Sequence, residues 1–467
     1  MILTGLLALY AIWAVGAIGG VLAERRSPTS TLAWIFAFLA LPGISGVYFV
    51  VFGPRRLVRR RRRYVTGRKA VERVAPVTDA VPLEPPADAL ARLATQLGMG
   101  APERTDEVML LPDGDSTLAA IEAAIAAATH HVHVEYYIWD PDRVGTRIRD
   151  ALVAAAKRDV DVRVVYDDIG SGADAAFFKP LINAGGKARE FNSVRITTNL
   201  GLANFRTHRK IVVCDGVVGF CGGNNLHDPI SAEVTGKSAW RDLHVRIRGD
   251  AVHQLQRVFL ENWMYTRGRF SPDAEERPRY FPPQTSTGPA AQVLASGPDG
   301  DEAAIYRFVL GAMATARQRV WIQTPYLIPD EPFESALQVA VLRGVDVRIL
   351  VPLEGDSKLV GAASRTWCES LVRTGVTIHE YTPRMLHAKA LLVDEVVGVV
   401  GTANMDNRSF RLNFEVMVAI YDAAFVRQLA ARMETDAAES RPFRGRGRGH
   451  RLTAAFESLA RLASPIL

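Results

Sequence analysis

The stretch Thr207-His208-Arg209-Lys210-Ile211-Val212-Val213-Cys214-Asp215-Gly216, closed by Gly222-Gly223-Asn224-Asn225, sets the reading of the whole chain. It returns 179 positions later as Leu386-His387-Ala388-Lys389-Ala390-Leu391-Leu392-Val393-Asp394-Glu395, closed by Gly401-Thr402-Ala403-Asn404. Counted from the His, both copies place Lys at +2, Asp at +7, Gly at +14 and Asn at +17. At residue frequencies of about 5%, five fixed positions recur by chance roughly once in a few million starts. Two copies in 467 residues are not coincidence.

The residue types predict local geometry. Ile211-Val212-Val213 and Leu391-Leu392-Val393 are β-formers, and Asp215-Gly216 reads as a two-residue hairpin turn. Side chains two apart on a strand share a face, so His208 points with Lys210 and His387 with Lys389. A hairpin folded about 215 and 216 brings Asn225 beside position 206, and one about 394 and 395 brings Asn404 beside Met385. Each copy thus gathers an imidazole, an ammonium and a carboxamide. Asp215 and Asp394 belong to the repeated catalytic pattern, but each lies an odd number of residues from its His and is not expected to touch the imidazole.

This set of groups suits phosphoryl chemistry. Lys210, Lys389, Asn225 and Asn404 are donors to anionic oxygens, and preorganised donors of this kind usually make the largest catalytic contribution. Two imidazoles, one neutral and one protonated, serve as nucleophile and general acid near neutral pH. A single H-x-K-x4-D would read as an ordinary surface strand. The doubled pattern does not.

At these residues the sequence resembles the phospholipase D superfamily with its paired HKD motifs. The strings His-Arg-Lys-Ile-Val-Val (208–213) and Gly-Thr-Ala-Asn-Met-Asp-Asn-Arg-Ser-Phe-Arg-Leu-Asn-Phe-Glu (401–415) are similar to its bacterial cardiolipin synthase branch. The resemblance runs over nearly the whole chain. It departs from the common pattern at Gly223 and Thr402, where the family often has Ser, and at Ala388 between His and Lys.

Residues 2–22 and 31–53 carry no charge, and each is about long enough to cross a bilayer, which takes roughly 20 residues. They read as a transmembrane helical hairpin, residues 1–53, kinked at Pro42-Gly43. A signal peptide fits poorly, since there is no basic n-region and no cleavage site. A basic run follows: Arg55, Arg56, Arg59 to Arg63, Arg68 and Lys69. By the positive-inside rule this run and the enzyme behind it lie in the cytoplasm of a bacterial cell, against the anionic surface of the inner membrane. Net charge is +6, and the run's position beside a membrane span argues against nucleic acid as the partner. Cys214, Cys221 and Cys368 form no C-x-x-C pair and read as reduced core residues.

Beyond a proline-rich linker at 74–104, helical and strand patterns alternate, which predicts an α/β architecture. Asp161-Val162-Arg163-Val164 is echoed by Asp346-Val347-Arg348-Ile349, and Tyr137-Ile138-Trp139-Asp140-Pro141-Asp142 loosely by Pro325-Tyr326-Leu327-Ile328-Pro329-Asp330. The fold expected is two homologous lobes, each a mixed sheet flanked by helices, at 106–270 and 291–440. A linker at 271–290 joins them, and a basic juxtamembrane segment at 54–105 precedes them. The resemblance implies one active site shared at the lobe interface. Residues 441–467 read as a basic tail and amphipathic helix, suited equally to a membrane surface and to packing on the domain.

His131, His133 and Glu135 share a strand face, and the core reading outweighs metal ligation; no cofactor is expected. Asp242 lies 34 residues after His208, and Glu415 lies 28 after His387. The resemblance implies that carboxylates in these places hold the far nitrogen of each catalytic His and fix its tautomer. Tyr326, Arg384 and Arg206 are candidates for the entrance.

The resemblance implies phosphatidyl transfer between two phosphatidylglycerol molecules, through a phosphohistidine and without a nucleotide or metal. The rivals are a hydrolytic phospholipase D, transfer with another lipid such as phosphatidylethanolamine, a nuclease and an inactive scaffold. Both motifs are complete, which speaks against the last. Oligomeric state is left open by the sequence.

Overall fold

Both halves of the chain build the same sheet, and the register shows it. The computed structural model describes residues 2–23, 28–41, 43–52, 57–76, 80–193, 204–298, 303–445 and 460. It divides into two compact units, Met1–Arg60 with Val194–Asn204, and Arg61–Ser193 with Phe205–Leu467.

In the smaller unit, α1 (Ile2–Ala23) is a 22-residue helix with no charged side chain. The second apolar stretch is two helices, α2 (Pro28–Ala40) and α3 (Ile44–Phe52), rather than one kinked span. At the break Gly43 takes φ 79°, a conformation that glycine adopts at no steric cost. Tyr10 Oη donates to the Leu39 carbonyl at 2.8 Å, and Trp13, Trp34, Phe38 and Phe49 pack edge to face. Leu9, Ile12, Val15 and Phe36 are exposed. Side chains at 2, 3 and 6–8 lie outside the described set, and among the described residues no helix is long and apolar enough to cross a membrane. The arginines at 55, 56 and 59–63 and most of the tail after 445 also lie outside the described side chains.

The larger unit holds two sheets. After α4 (Leu57–Glu72) and α5 (Ala87–Gln96) comes the short strand β1 (Glu103–Arg104). The first sheet is formed by β2 (Glu107–Leu111), β3 (His131–Tyr136), β4 (Asp161–Asp167), β5 (Lys187–Phe191), β6 (Ile211–Cys214), β7 (Val218–Gly222) and β8 (His244–Arg248), in the order β2-β8-β7-β6-β3-β4-β5. The second is built from β9 (Ala290–Ser296), β10 (Arg319–Gln323), β12 (Asp346–Pro352), β13 (Thr377–Tyr381), β14 (Ala390–Val393), β15 (Val397–Gly401) and β17 (Glu415–Tyr421). Its order, β9-β17-β15-β14-β10-β12-β13, matches the first strand for strand. β11 (Leu327–Ile328) and β16 (Met405–Asp406) pair apart from it. In both sheets a central strand runs parallel to one neighbour and antiparallel to the other: His131 lies opposite Asp161 and Arg319 opposite Asp346. The sequence echo at 161–164 and 346–349 is therefore one strand built twice.

The other echo fixes helix starts. Asp142 caps the helix Arg143–Ala156 by accepting from the Gly145 N–H at 2.9 Å, and Asp330 caps Glu331–Leu342 by accepting from Phe333 at 3.2 Å.

The second sheet gains an edge strand on each side, β1 on β9 and β18 (Ser440–Pro442) on β13. The linker at 74–104, read as ending in a short helix, holds α5, whose Leu90, Ala91 and Ala94 are buried in the core of the second sheet, and its last two residues pair as β1. Alternation along the motif strands sorts the cores. Val212 and Cys214 face the first lobe's own helices, as Leu391 and Val393 face the second lobe's. Ile211, Val213, Leu392 and Val400 face a core common to both lobes. The three cysteines are buried and free.

Candidate active site

Each motif is a β-hairpin whose turn has three residues, not two. Cys214 pairs with Val218 around 215–217, and Val393 with Val397 around 394–396. The extra residue shifts the expected partners of Asn225 and Asn404 by one position. At both turns the Asp takes positive φ, 54° for Asp215 and 51° for Asp394, which Asp tolerates better than most side chains.

Those two aspartates require a correction. Asp215 accepts from the N–H groups of Thr129, His130 and His131 at 2.8 to 2.9 Å. Asp394 accepts from those of Arg317, Gln318 and Arg319 at 2.8 to 2.9 Å. Each thus caps the chain entering the central strand of its own sheet. Neither reaches an imidazole, so both are structural.

The rest of the set converges, and it does so across the lobes. The His208 N–H donates to the Phe414 carbonyl at 2.8 Å, and that of His387 to the Arg241 carbonyl at 2.7 Å, so each motif strand is bridged to a segment of the opposite lobe. Beside each bridge stands a carboxylate. His208 Nδ1 lies 3.0 Å from both oxygens of Glu415, and His387 Nδ1 lies 2.6 Å from Asp242 Oδ2. Both carboxylates are fully buried. Each His is therefore oriented by an acid from the other lobe, with Nδ1 occupied and Nε2 left for chemistry.

The lysines complete the site. Lys210 and Lys389 are fully buried, and each Nζ donates to the carbonyl of its own motif His, at 2.8 and 2.5 Å. Burial, together with Lys389, brings Lys210 down to about 7. Burial brings Lys389 down to about 8 against the pull of Asp242 and Glu415. Desolvation and the lysines push both imidazoles well below their usual value, so both rings are neutral near neutral pH. Burial raises Glu415 to about 7. Asp242 feels the same burial, yet Lys389 and His387 hold it below the usual carboxylate range.

Asn225 and Asn404 are buried, and neither Oδ1 has a hydrogen-bond partner among the described residues. Leaving such an oxygen without a donor costs about 1–3 kcal/mol; reversing the amide would present its N–H groups there instead.

Three further side chains pack against the site. Tyr137 packs edge-on against His208 with centroids 5.0 Å apart and lies 5.5 Å from Lys210 Nζ, while Trp240 lies 5.1 Å from the His387 ring. Arg241 makes a two-pronged ion pair with Asp436 at 2.8 and 3.0 Å and donates to the Asp242 carbonyl at 2.6 Å. The doubled pattern could not reveal these, because they have no fixed offset from the motif His.

Of the entrance candidates, Tyr326 Oη donates to Asp356 at 2.6 Å. Arg206 does not line an entrance: it is buried against Asp167 at 2.6 Å. His131 and His133 bridge through Gln256 at 3.0 Å each, and Glu135 Oε1 accepts from Asn262 at 2.5 Å and from the Thr207 hydroxyl, so all three side chains contact the helix Val252–Tyr265.

A family model described as "Cardiolipin synthase, PLD-like domain" matches residues 121–263 and 309–437, one match on each motif. The chain belongs to this family. It is 35% identical to cardiolipin synthase 1 of Bacillus cereus over 98% of this chain and 93% of that one. It is 36% identical to a cardiolipin synthase of Alkalihalophilus pseudofirmus over 95% and 90%. Among solved structures, the phosphatidylserine synthase of Haemophilus influenzae superposes with TM-score 0.61 at 14% identity, covering 81% of this chain and all of that one. That likeness shows a common fold.

Proposed function

We propose that the protein is a phosphatidyltransferase that joins two phosphatidylglycerol molecules into cardiolipin and releases glycerol. The observation that carries this reading is the pair of buried imidazoles, each fixed by a carboxylate from the opposite lobe, with two buried lysines whose charge reaches both rings. Full-length relatives with the same activity in their names support the lipid class.

His208 Nε2 attacks phosphorus; a P–N bond forms as the P–O bond to the departing glycerol breaks. His387, protonated once the anionic phosphodiester offsets the lysine charge, gives its proton to that glycerol oxygen. In the second step His387 takes the proton from the hydroxyl of the second phosphatidylglycerol. Its oxygen bonds to phosphorus, and the P–N bond breaks. Lys210, Lys389, Asn225 and Asn404 hold the non-bridging oxygens, whose charge is worth most where water is excluded. One phosphodiester replaces another, so no nucleotide drives the reaction.

The hairpin at 1–53 serves as a membrane anchor in this reading. Its exposed apolar side chains and charge-free helices suit lipid contact, and the arginines at 55–63 suit anionic headgroups at the cytoplasmic side of a bacterial cell membrane.

The test is reconstitution with labelled phosphatidylglycerol, with EDTA and without CDP-diacylglycerol. Labelled cardiolipin plus glycerol is expected. A strict requirement for CDP-diacylglycerol or for a divalent ion would defeat the proposal, and phosphatidic acid as the main product would make the protein a hydrolase. His208→Ala and His387→Ala should each lower turnover by about 10⁴-fold or more.

A further inference from the structure

The position after the motif Gly differs between the lobes, and the difference falls on the two carboxylates. In the second lobe it is Thr402, whose Oγ1 accepts from the Val416 N–H at 2.9 Å and donates to Glu415 Oε2 at 2.5 Å. Asn413 Nδ2 adds a weaker contact to Oε1 at 3.3 Å. In the first lobe it is Gly223, and a Cβ there would overlap the Asp242 carboxylate. Asp242 accepts from the backbone N–H of Leu243 at 2.7 Å and from His387, and no side-chain hydroxyl reaches it among the described residues.

We propose that Thr402 and Gly223 are positioning residues that divide the two steps between the histidines. Thr402 shares the charge of Glu415 and keeps His208 for attack on phosphorus. Gly223 leaves room for the Asp242 carboxylate against His387, the proton donor and acceptor, with no side-chain hydroxyl on it among the described residues. This deepens the reading above and rests on it. Every donor to a carboxylate disperses charge that would otherwise raise the basicity of the imidazole it holds. Lys210 and Lys389 face both rings; Arg408 adds a third cation at His208, which works in the same direction as Thr402. The two carboxylates differ as well. His387 contacts Asp242 at 2.6 Å, whereas His208 divides its contact over both Glu415 oxygens at 3.0 Å.

Leaving-group dependence separates the roles. Single turnovers of the full chain in mixed micelles are measured with phosphatidylglycerol, whose alkoxide must be protonated, and with phosphatidyl-p-nitrophenol, whose phenolate need not be. Gly223→Ala should slow the glycerol ester about 100-fold and the nitrophenyl ester about threefold or less. Thr402→Val should slow both esters by one common factor, and Thr402→Ser should restore both. If Gly223→Ala does not fold, judged by its melting curve, Asp242→Asn must give the same leaving-group contrast. Equal losses with both esters for the 223 or 242 variant overturn the assignment. So does a Thr402→Val defect confined to the glycerol ester, or no defect in any variant. Loss of cardiolipin synthesis as such is read by the labelled-lipid assay, so the two proposals fail separately.

Discussion

Set side by side, the first and second lobes agree from β2 to β8 and from β9 to β17, and they use their motif aspartates alike, each as a cap on the chain entering a central strand. They differ at the histidines. His208 leans on a glutamate that accepts from two other side chains, Thr402 and Asn413, and His387 on an aspartate held by one backbone amide. The comparison separates two kinds of constraint. What holds a sheet together was kept in both copies, and what tunes a proton was free to diverge.

The largest effect that would break or sharpen this contrast is on the crossed carboxylates. Asp242→Asn and Glu415→Gln should each cost about 10² to 10⁴-fold in turnover while leaving the fold intact, as for other orienting acids beside a catalytic His. Activity assays on variants matched for melting behaviour check it, and near-wild-type rates in either would mean that its histidine needs no orienting acid.

Next come the buried ion pairs beside the motifs. Arg241 and Asp436 join the segment carrying Asp242 to the second lobe, whereas Arg206 and Asp167 lie within the first. Removing one partner of such a pair leaves a buried charge and costs about 3–5 kcal/mol. Arg241→Ala and Arg206→Ala should both lower denaturant midpoints, but at sub-denaturing temperature only Arg241→Ala should also depress turnover strongly. Equal activity loss in both would show that the junction is not special.

The turn aspartates should behave alike. Asp215→Ala and Asp394→Ala each strip the acceptor from three amides and place a less tolerant residue at positive φ, for about 1–3 kcal/mol of stability. Thermal denaturation reads this, and the folded fraction should keep its kcat. A selective loss of kcat in one would return that aspartate to the catalytic set.

The smallest effect is a pH limb. Lys210 and Lys389 sit at about 7 and about 8, so raising the pH through that window removes protons from the groups that hold the phosphate. kcat/KM should fall on the alkaline side, by roughly tenfold per pH unit once Lys210 is neutral, and Lys210→Arg should move that limb upward toward the Lys389 value, since a guanidinium stays charged. A flat profile to pH 9.5 would contradict it.

The doubled motif made the α/β class and the repeated lobes legible, because β-formers at period two and the Asp-Val-Arg echo carry their geometry locally. The pairing of carboxylate with histidine was not legible in the same way. Asp242 follows His208 and Glu415 follows His387 along the chain, but in space each serves the other motif, and sequence separation says nothing about which bridge forms. The turn length failed for a related reason. An Asp at positive φ that captures three amides admits a third turn residue, which overrode the simple Asp-Gly signal. Arg206, read as an entrance residue, is held by Asp167, a partner 39 positions earlier that no local pattern announces. The last two residues of the segment read as a linker form an edge strand that went unread, because a two-residue pairing leaves almost no periodicity to detect.

The exchange of acids between lobes has an ancestral corollary. A single lobe could assemble such a site only as a twofold homodimer, in which a patch on one protomer meets the same patch on the other. Symmetry would then oblige both histidines to share one environment. Fusion of two copies into one polypeptide lifts that obligation, so that a single nucleotide change can alter one half-site and leave its twin untouched.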